Sequence, residues 1–345
     1  MLQWNTPGTV AEQGASQQLV DRFGRVHSEL RISVTDRCNL RCTYCMPAEV
    51  ASFLPRAELL SFDEISRFVR VAATLGIRKL RLTGGEPLVR PNLDRLIARL
   101  VALDGIEEVA LTTNGLLLAE QAAALKRAGL ARLNVSLDAL EPEAFRAIAR
   151  RDGLERVLAG LSAARAAGFE GTRLNAVAMR GASEGQVVPL VRFARDEGLE
   201  LRFIEFMPLD ADHAWQRQQV LSGAELRASI EAALGPLVPV ERNDPSQPST
   251  DFRFADGRGR VGFIASVTEP FCGSCNRIRL TADGQVRNCL FATDEWDARR
   301  ILRSDGDDQQ LVDLLHSCVG AKRAGHGIDG ARFVPPERAM YRIGG

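Results

Sequence analysis

Residues 30–45 read Leu-Arg-Ile-Ser-Val-Thr-Asp-Arg-Cys-Asn-Leu-Arg-Cys-Thr-Tyr-Cys. The first six, Leu30–Thr35, alternate apolar and polar side chains with the period of a two-faced β-strand. The strand runs directly into a loop carrying thiols at positions 38, 42 and 45. A strand that ends in a loop rich in reactive side chains suits α/β folds, whose chemistry sits at the carboxyl ends of parallel strands.

Outward from this stretch the same rhythm repeats. Strands are predicted over Lys79–Thr83, Val109–Thr113, Arg132–Leu137, Arg173–Ala178 and Leu201–Phe206, separated by amphipathic stretches at Asp63–Leu75, Leu93–Leu103, Glu120–Ala128, Leu154–Ala167 and Gln186–Asp196. Ser61 and Glu64 make a capping box, and Gly76, Gly129, Gly168 and Gly198 are placed as helix stop signals. Six βα units exceed a mononucleotide half and fall short of an eight-unit barrel, so the expected fold class is α/β, a partial six-unit (β/α) barrel open on one side. The rhythm changes between residues 215 and 236. Shorter strands follow at Phe252–Phe254, Arg260–Ala265, Arg277–Leu280 and Gln285–Arg287, with late helices at Asp294–Ser304 and Gln309–Val319. The expected division is a flexible extension over 1–20, the partial barrel over 21–220 and a C-terminal α+β module over 221–345.

The 345 residues carry 44 Lys plus Arg against 44 Asp plus Glu. That balance gives no electrostatic case for nucleic acid, although it allows a local basic cavity. The sequence contains no apolar run long enough for a transmembrane helix and no secretory signal, which predicts a cytoplasmic protein without a membrane partner. In a reducing compartment seven cysteines read as thiols.

Cys38, Cys42 and Cys45 form a Cys-x3-Cys-x2-Cys set with Tyr44 before the last thiol. Three thiolates leave one iron of a [4Fe–4S] cluster open; a zinc knuckle or three unrelated thiols is the competing reading. The second strand ends in Thr83-Gly84-Gly85-Glu86-Pro87, where glycines let a ligand approach the backbone. Phe271-Cys272-Gly-Ser-Cys275 and Cys289 make a second three-thiol set, joined by a hairpin that turns at 282–284; a zinc ribbon short of one ligand competes here. Arg277 and Arg279 alternate on one face of the hairpin and suit an oxyanion.

The first cysteine set resembles the cluster motif of the radical S-adenosylmethionine (SAM) superfamily. The Cys-x2-Cys-x13-Cys pattern with Leu290-Phe291 resembles the GTP 3′,8-cyclase family of molybdenum cofactor biosynthesis. The resemblance runs from about residue 20 to the final glycine. It implies two [4Fe–4S] clusters, the first on Cys38, Cys42 and Cys45 and the second on Cys272, Cys275 and Cys289. It implies SAM contacts from Tyr44, Gly85, Ser136 and Met207, and GTP contacts from Arg31, Arg81, Thr112, Arg173, Arg277 and Arg279. At Arg173 much of the family carries Lys, and Thr113 is almost equal to Thr112 as a candidate. The implied reaction is a lyase step: the deoxyadenosyl radical takes the ribose C3′ hydrogen of GTP and ring closure at C8 gives 3′,8-cyclo-7,8-dihydro-GTP. A cellular electron donor and a downstream cyclic pyranopterin monophosphate synthase are the implied partners, and a homodimer the expected assembly.

Arg342-Ile343-Gly344-Gly345 matches the family's double-glycine tail, which implies insertion into the active site. His27, His213, His316 and His326 show no ligand spacing, and Cys318 reads as a buried helix residue. Asp138 and Glu205 fall at strand ends without an assigned role. Two alternatives remain: a radical SAM peptide-modifying enzyme with an auxiliary cluster, which GTP binding through Arg277 and Arg279 separates, and a non-enzymatic zinc or electron-transfer protein, which iron and sulfide content separates.

Overall fold

The computed structural model describes residues 18–49, 52–328, 330 and 333–344. Six parallel strands lead: β1 (Glu29–Ser33), β2 (Lys79–Thr83), β3 (Glu108–Thr113), β4 (Arg132–Ser136), β5 (Arg173–Ala178) and β6 (Glu200–Glu205). Between them run α1 (Phe62–Thr74), α2 (Leu93–Val101), α3 (Leu118–Arg127), α4 (Pro142–Ala149), α5 (Leu154–Ala166) and α6 (Val187–Asp196). After α7 (Gly223–Leu234) come β7 (Leu237–Pro239), β8 (Thr250–Phe254), β9 (Arg260–Ile264), β10 (Arg277–Leu280), β11 (Gln285–Arg287) and β12 (Trp296–Asp297). Helices α8 (Ala298–Arg303), α9 (Asp308–Gly320) and α10 (Met340–Ile343) end the chain.

The strands form one open sheet in the order β12-β11-β10-β1-β2-β3-β4-β5-β6-β9-β8-β7. The later strands take both free edges of the six-strand array. β10 pairs parallel with β1 in the register Glu29 to Arg277 and Arg31 to Arg279, and β9 pairs parallel with β6. The segment between β9 and β10, which contains the Cys272–Cys275 turn, therefore spans from one edge of the partial barrel to the other.

Alternation divides each strand between two environments. Leu30, Ile32, Leu80, Leu82, Val109, Leu111, Leu133 and Leu174 are fully buried beneath the helices, each contributing roughly 1.5–3 kcal/mol. The other face carries Glu29, Arg31, Arg81, Thr112, Asn134, Ser136 and Asn175 into the interior. Helix α1 buries Ile65, Phe68, Val69 and Ala72 on one stripe and starts at the Ser61/Glu64 capping box. The four glycine stop signals all have positive φ. Residues 1–17 of the proposed extension lie outside the described residues, while Leu19 is fully buried and its N–H donates to the Leu75 carbonyl at 3.1 Å.

Helix α4 was not expected from the sequence. It has only two turns, starts on Pro142 and stops at Arg150 in the left-handed region (φ 53°) rather than at a glycine. Strand β7, preceded by Pro236 and ending on Pro239, was not expected from the sequence, and the helix expected over Asp294–Ser304 begins only at Ala298, because Trp296 and Asp297 pair with β11.

Glu205, at the end of β6, is buried and accepts from the N–H groups of Val267 and Thr268 at 2.8 Å, the Thr268 hydroxyl and the Gly223 N–H at 3.3 Å. It ties the crossing segment and the start of α7 to the sheet. Unmade hydrogen bonds of buried groups cost about 1–3 kcal/mol each. Glu205→Ala is expected to lose about 3 kcal/mol in urea unfolding, whereas a loss within error would show that water replaces the carboxylate.

Candidate active site

The loop after β1 is held from three sides. Leu54 N–H donates to Asp36 Oδ2 at 2.6 Å, Arg41 N–H to the Ala149 carbonyl at 3.0 Å and Thr43 N–H to the Ile148 carbonyl at 3.0 Å. The last two acceptors are orphan carbonyls at the carboxyl end of α4, so the unforeseen helix fixes the cysteine loop. Cys38 Sγ receives the Leu40 N–H at 3.4 Å and Asn114 Nδ2 at 3.7 Å. Burial pushes the Cys38 thiol up to about 11, with Glu86 adding to the rise, and burial also raises Cys42 and Cys45, whose neighbouring sulfurs repel further charge. Thiols so placed ionise only with a cationic centre among them, and three donors facing one cavity fit an iron–sulfur cluster with an open iron.

Gly84 and Gly85 have a role beyond ligand access. A Cβ on Gly85 would lie 2.5 Å from the Arg37 carbonyl oxygen and 2.6 Å from that of Asp36; one on Gly84 would lie 2.6 Å from the Thr35 carbonyl oxygen. Gly85 N–H donates to Thr35 O at 2.6 Å and Glu86 N–H to Arg37 O at 2.7 Å, so the glycine turn and the approach to Cys38 are in backbone contact. Glu86 is buried and accepts from Leu88 N–H (2.9 Å), the Thr113 hydroxyl (2.7 Å) and Asn114 N–H (2.6 Å). Burial nonetheless lifts its carboxyl to about 7. Tyr44 is held by its hydroxyl, which donates to Asp138 Oδ2 at 2.8 Å, and Asp138 Oδ1 accepts from Val177 N–H at 2.8 Å. Burial raises Asp138 to about 6.

Cys272, Cys275 and Cys289 lie together, none in a disulfide, and their chain neighbours Phe271 and Leu290 line the cavity. Burial raises Cys272. Burial would raise Cys275 too, but Arg277 and Lys322 outweigh it and lower the thiol to about 7. Next to them the arginines crowd. Glu29 pairs with Arg31 at 3.2 Å and with Arg81 at 3.7 Å. Burial alone would raise Glu29, yet Arg31, Arg81 and Arg277 hold it near 2. Burial and then Arg31 bring Arg81 down to about 10, and burial with Arg31 and Arg277 brings Arg279 to about 9. Arg279 Nη1 donates to the Gly344 carbonyl at 2.5 Å, and Arg277 stacks 4.7 Å from the Phe271 ring centre.

One cavity is lined by Cys38, Cys42, Cys45, Tyr44, Gly85, Ser136, Met207, Arg31, Arg81, Thr112, Arg277 and Arg279, and the second cysteine set adjoins it in the chain through Phe271 and Leu290 on its wall. Arg173 does not line it. It starts β5, one step below Asn175, and its Nε is tied to Glu200 Oε2 at 2.6 Å. The cation that β6 presents instead is Arg202, paired with Asp251 at 3.2 Å and missed by the sequence reading although strand alternation marks it. Thr112 and Thr113 both line the cavity, and the Thr113 hydroxyl donates to Glu86 Oε1 at 2.7 Å. Gly345 lies outside the described residues; Gly344 sits at φ 85°, where a Cβ would meet Thr83 Oγ1 at 2.7 Å and Ser33 Cβ at 2.8 Å. Cys318 is buried in α9.

The family described as Radical SAM superfamily matches residues 32–194, and that described as Molybdenum Cofactor Synthesis C matches residues 199–328. A GTP 3′,8-cyclase of Rhodopirellula baltica is 53% identical over 330 residues, 95% of this chain and 92% of the relative. One from Streptomyces coelicolor is 46% identical over 336 residues, 97% of this chain and 98% of the relative. Among solved structures, Streptococcus suis SuiB covers 92% of this chain and 77% of its own at TM-score 0.63 and 15% identity, and AdoMet-bound anSMEcpe covers 91% and 93% at 0.55 and 15%. At such identities the likeness is one of fold.

Glu86 generates a pH signature in the protein without clusters. An unfolded glutamate titrates near 4.5 and the folded one near 7, so the folded state holds the extra proton between those values. Its contribution to stability falls as pH rises through that window and levels off above it. Wild type is expected to lose stability relative to Glu86→Gln between about pH 4.5 and 7 in urea titrations; parallel curves would show Glu86 ionised throughout.

Proposed function

The chain belongs to the GTP 3′,8-cyclase family of radical SAM enzymes, and we propose that its cavity converts GTP to 3′,8-cyclo-7,8-dihydro-GTP in the first step of molybdenum cofactor biosynthesis. The chain is thus an enzyme, a radical SAM lyase. The observation that carries the reading is the joining of two three-thiol loops and an undercompensated arginine cluster in one cavity.

Cys38, Cys42 and Cys45 hold a [4Fe–4S] cluster, and Cys272, Cys275 and Cys289 a second one. When bound, the first cluster and SAM supply the radical that starts ring closure. The protein's own residues do the rest. Tyr44, fixed by Asp138, and Gly85, Ser136 and Met207 position SAM on one side of the cavity. Arg31, Arg81, Arg277 and Arg279 gather the triphosphate, with Thr112 beside them and Arg202 in the place expected of Arg173. Guanidinium forks pair bidentately with phosphate, and a triphosphate relieves the repulsion among them. Placing the reacting sugar in the barrel interior keeps solvent from it. Holding both reactants in attack geometry is the protein's main catalytic contribution.

The last residues are part of the site. Gly344 occupies the space beside Ser33 and Thr83 and engages Arg279, which supports insertion of the double-glycine tail. A cellular electron donor, a downstream cyclic pyranopterin monophosphate synthase, a cytoplasmic setting and a homodimer complete the proposal. No helix among the described residues is long and apolar enough to cross a membrane.

The deciding experiment is an anaerobic single-turnover assay of reconstituted protein with dithionite, SAM and GTP, read by mass spectrometry. Wild type is expected to give 5′-deoxyadenosine and a cyclised GTP isomer. Cys38→Ala should lose both, and Cys272→Ala the cyclised product. Deoxyadenosine without a GTP product would point to another substrate, such as a peptide. Arg279→Ala is expected to weaken GTP binding at least tenfold in calorimetry, with a smaller salt dependence than wild type. Gly344→Ala should cut turnover through the clash at Ser33 and Thr83, and full activity would remove the tail from the mechanism.

A further inference from the structure

Lys322 follows α9 and is 3% exposed. Its Nζ donates to the Arg277 carbonyl at 2.7 Å and to Cys275 Sγ at 3.5 Å. No carboxylate among the described residues pairs with it. A buried ammonium is costly unless an anion offsets it, and a carbonyl supplies only a dipole. The neighbouring cation is differently provided for. Arg25 pairs with Asp21 at 2.6 Å, and its guanidinium donates to the carbonyls of Cys272 (2.7 Å), Arg323 (2.7 Å) and Ala324 (3.1 Å). Arg25 thereby fixes the backbone next to Lys322 and the backbone of the cysteine turn together. A Cβ on Gly325 would stand 3.8 Å from Cys272 Cβ, so the 322–325 segment runs alongside the thiols. Among the described residues the anionic groups that act on the Lys322 ammonium are the sulfurs of Cys275, at 3.5 Å, and of Cys289.

We propose that Lys322 is the resident counter-cation of the second cluster: its ammonium donates to the Cys275 sulfur, retains the cluster and sets its reduction potential. The assignment rests on the reading that Cys272, Cys275 and Cys289 hold a cluster. Hydrogen bonds to the sulfurs and nearby charge are the protein's means of tuning such potentials. Reduction adds one electron, and so one negative charge, to the iron–sulfur core. A fixed cation beside the sulfur favours the reduced form more than the oxidised one and makes the potential less negative. Lys322 is a positioning residue here, since it acts through Cys275 and does not face the substrate cavity.

The test isolates the second cluster in a Cys38→Ala/Cys42→Ala/Cys45→Ala background, reconstituted anaerobically with iron and sulfide. Iron and sulfide content and an EPR-monitored redox titration are the readouts. Lys322→Gln keeps an N–H for the Arg277 carbonyl and removes the charge. It is expected to shift the midpoint to more negative potential or to lose iron, and Lys322→Arg to restore the parental value. A parental midpoint and parental iron in Lys322→Gln would overturn the proposal. Lys322→Met is read in the same way if the apo glutamine variant departs from parental circular dichroism. A background protein that binds no iron and sulfide would instead overturn the second-cluster reading, and the role of Lys322 with it.

Discussion

Like charge held inside a barrel is the constraint on which this molecule depends. Arg31, Arg81, Arg277 and Arg279 share the interior, and Glu29 pairs with Arg31 and Arg81 and feels the charge of Arg277. An ordinary (β/α) barrel fills this space with branched apolar side chains in layers. Here the inward positions are surrendered to guanidinium groups, and stability must come from the outward face, where Leu30, Ile32, Leu80, Leu82 and their neighbours pack beneath the helices. Crowded cations keep the interior from collapsing on itself and leave room for an anion. The same repulsion that costs stability in the empty protein is what a polyphosphate relieves.

Much of this was legible in the sequence because it depends on period and spacing. Alternation put Arg277 and Arg279 on one face of their strand, the resemblance named Arg31 and Arg81, and the starts and ends of β2 and β5 fall where the sequence placed them. The two three-cysteine sets were legible because their spacing, in one loop for the first and across a hairpin for the second, can be read directly from the sequence. What escaped the sequence depends on contacts between distant segments. Nothing local shows that the Thr113 hydroxyl is taken by Glu86, or that Arg173 is tied to Glu200 below the cavity. Helix α4 escaped because it is short and lacks a glycine stop, although its terminal carbonyls hold the cysteine loop. The glycines at 84 and 85 were recognised, but their closest neighbours are the carbonyls of Thr35, Asp36 and Arg37.

The two cysteine loops reach one cavity by different routes. The first hangs from a strand end and is braced by Glu86, Asn114 and α4. The second belongs to a segment stretched from β9 to β10 and pinned midway by Glu205. The arginines that line the cavity come from both parts, Arg31 and Arg81 from the early strands and Arg277 and Arg279 from the late ones. Neither part alone holds a complete site.

The placement of β10 beside β1 has a consequence for how the chain is made. Synthesis runs from the amino end, so β1 exists long before its partner, and its outer edge stays unpaired until residues 277–280 emerge. β6 waits in the same way for β9, though for a shorter interval. An apolar parallel sheet with two bare edges is a template for pairing with other nascent chains. The time the ribosome takes to traverse residues 34–276 is thus the period of greatest exposure to aggregation, and a cell that produces this protein has reason to shelter it until its last hundred residues are complete.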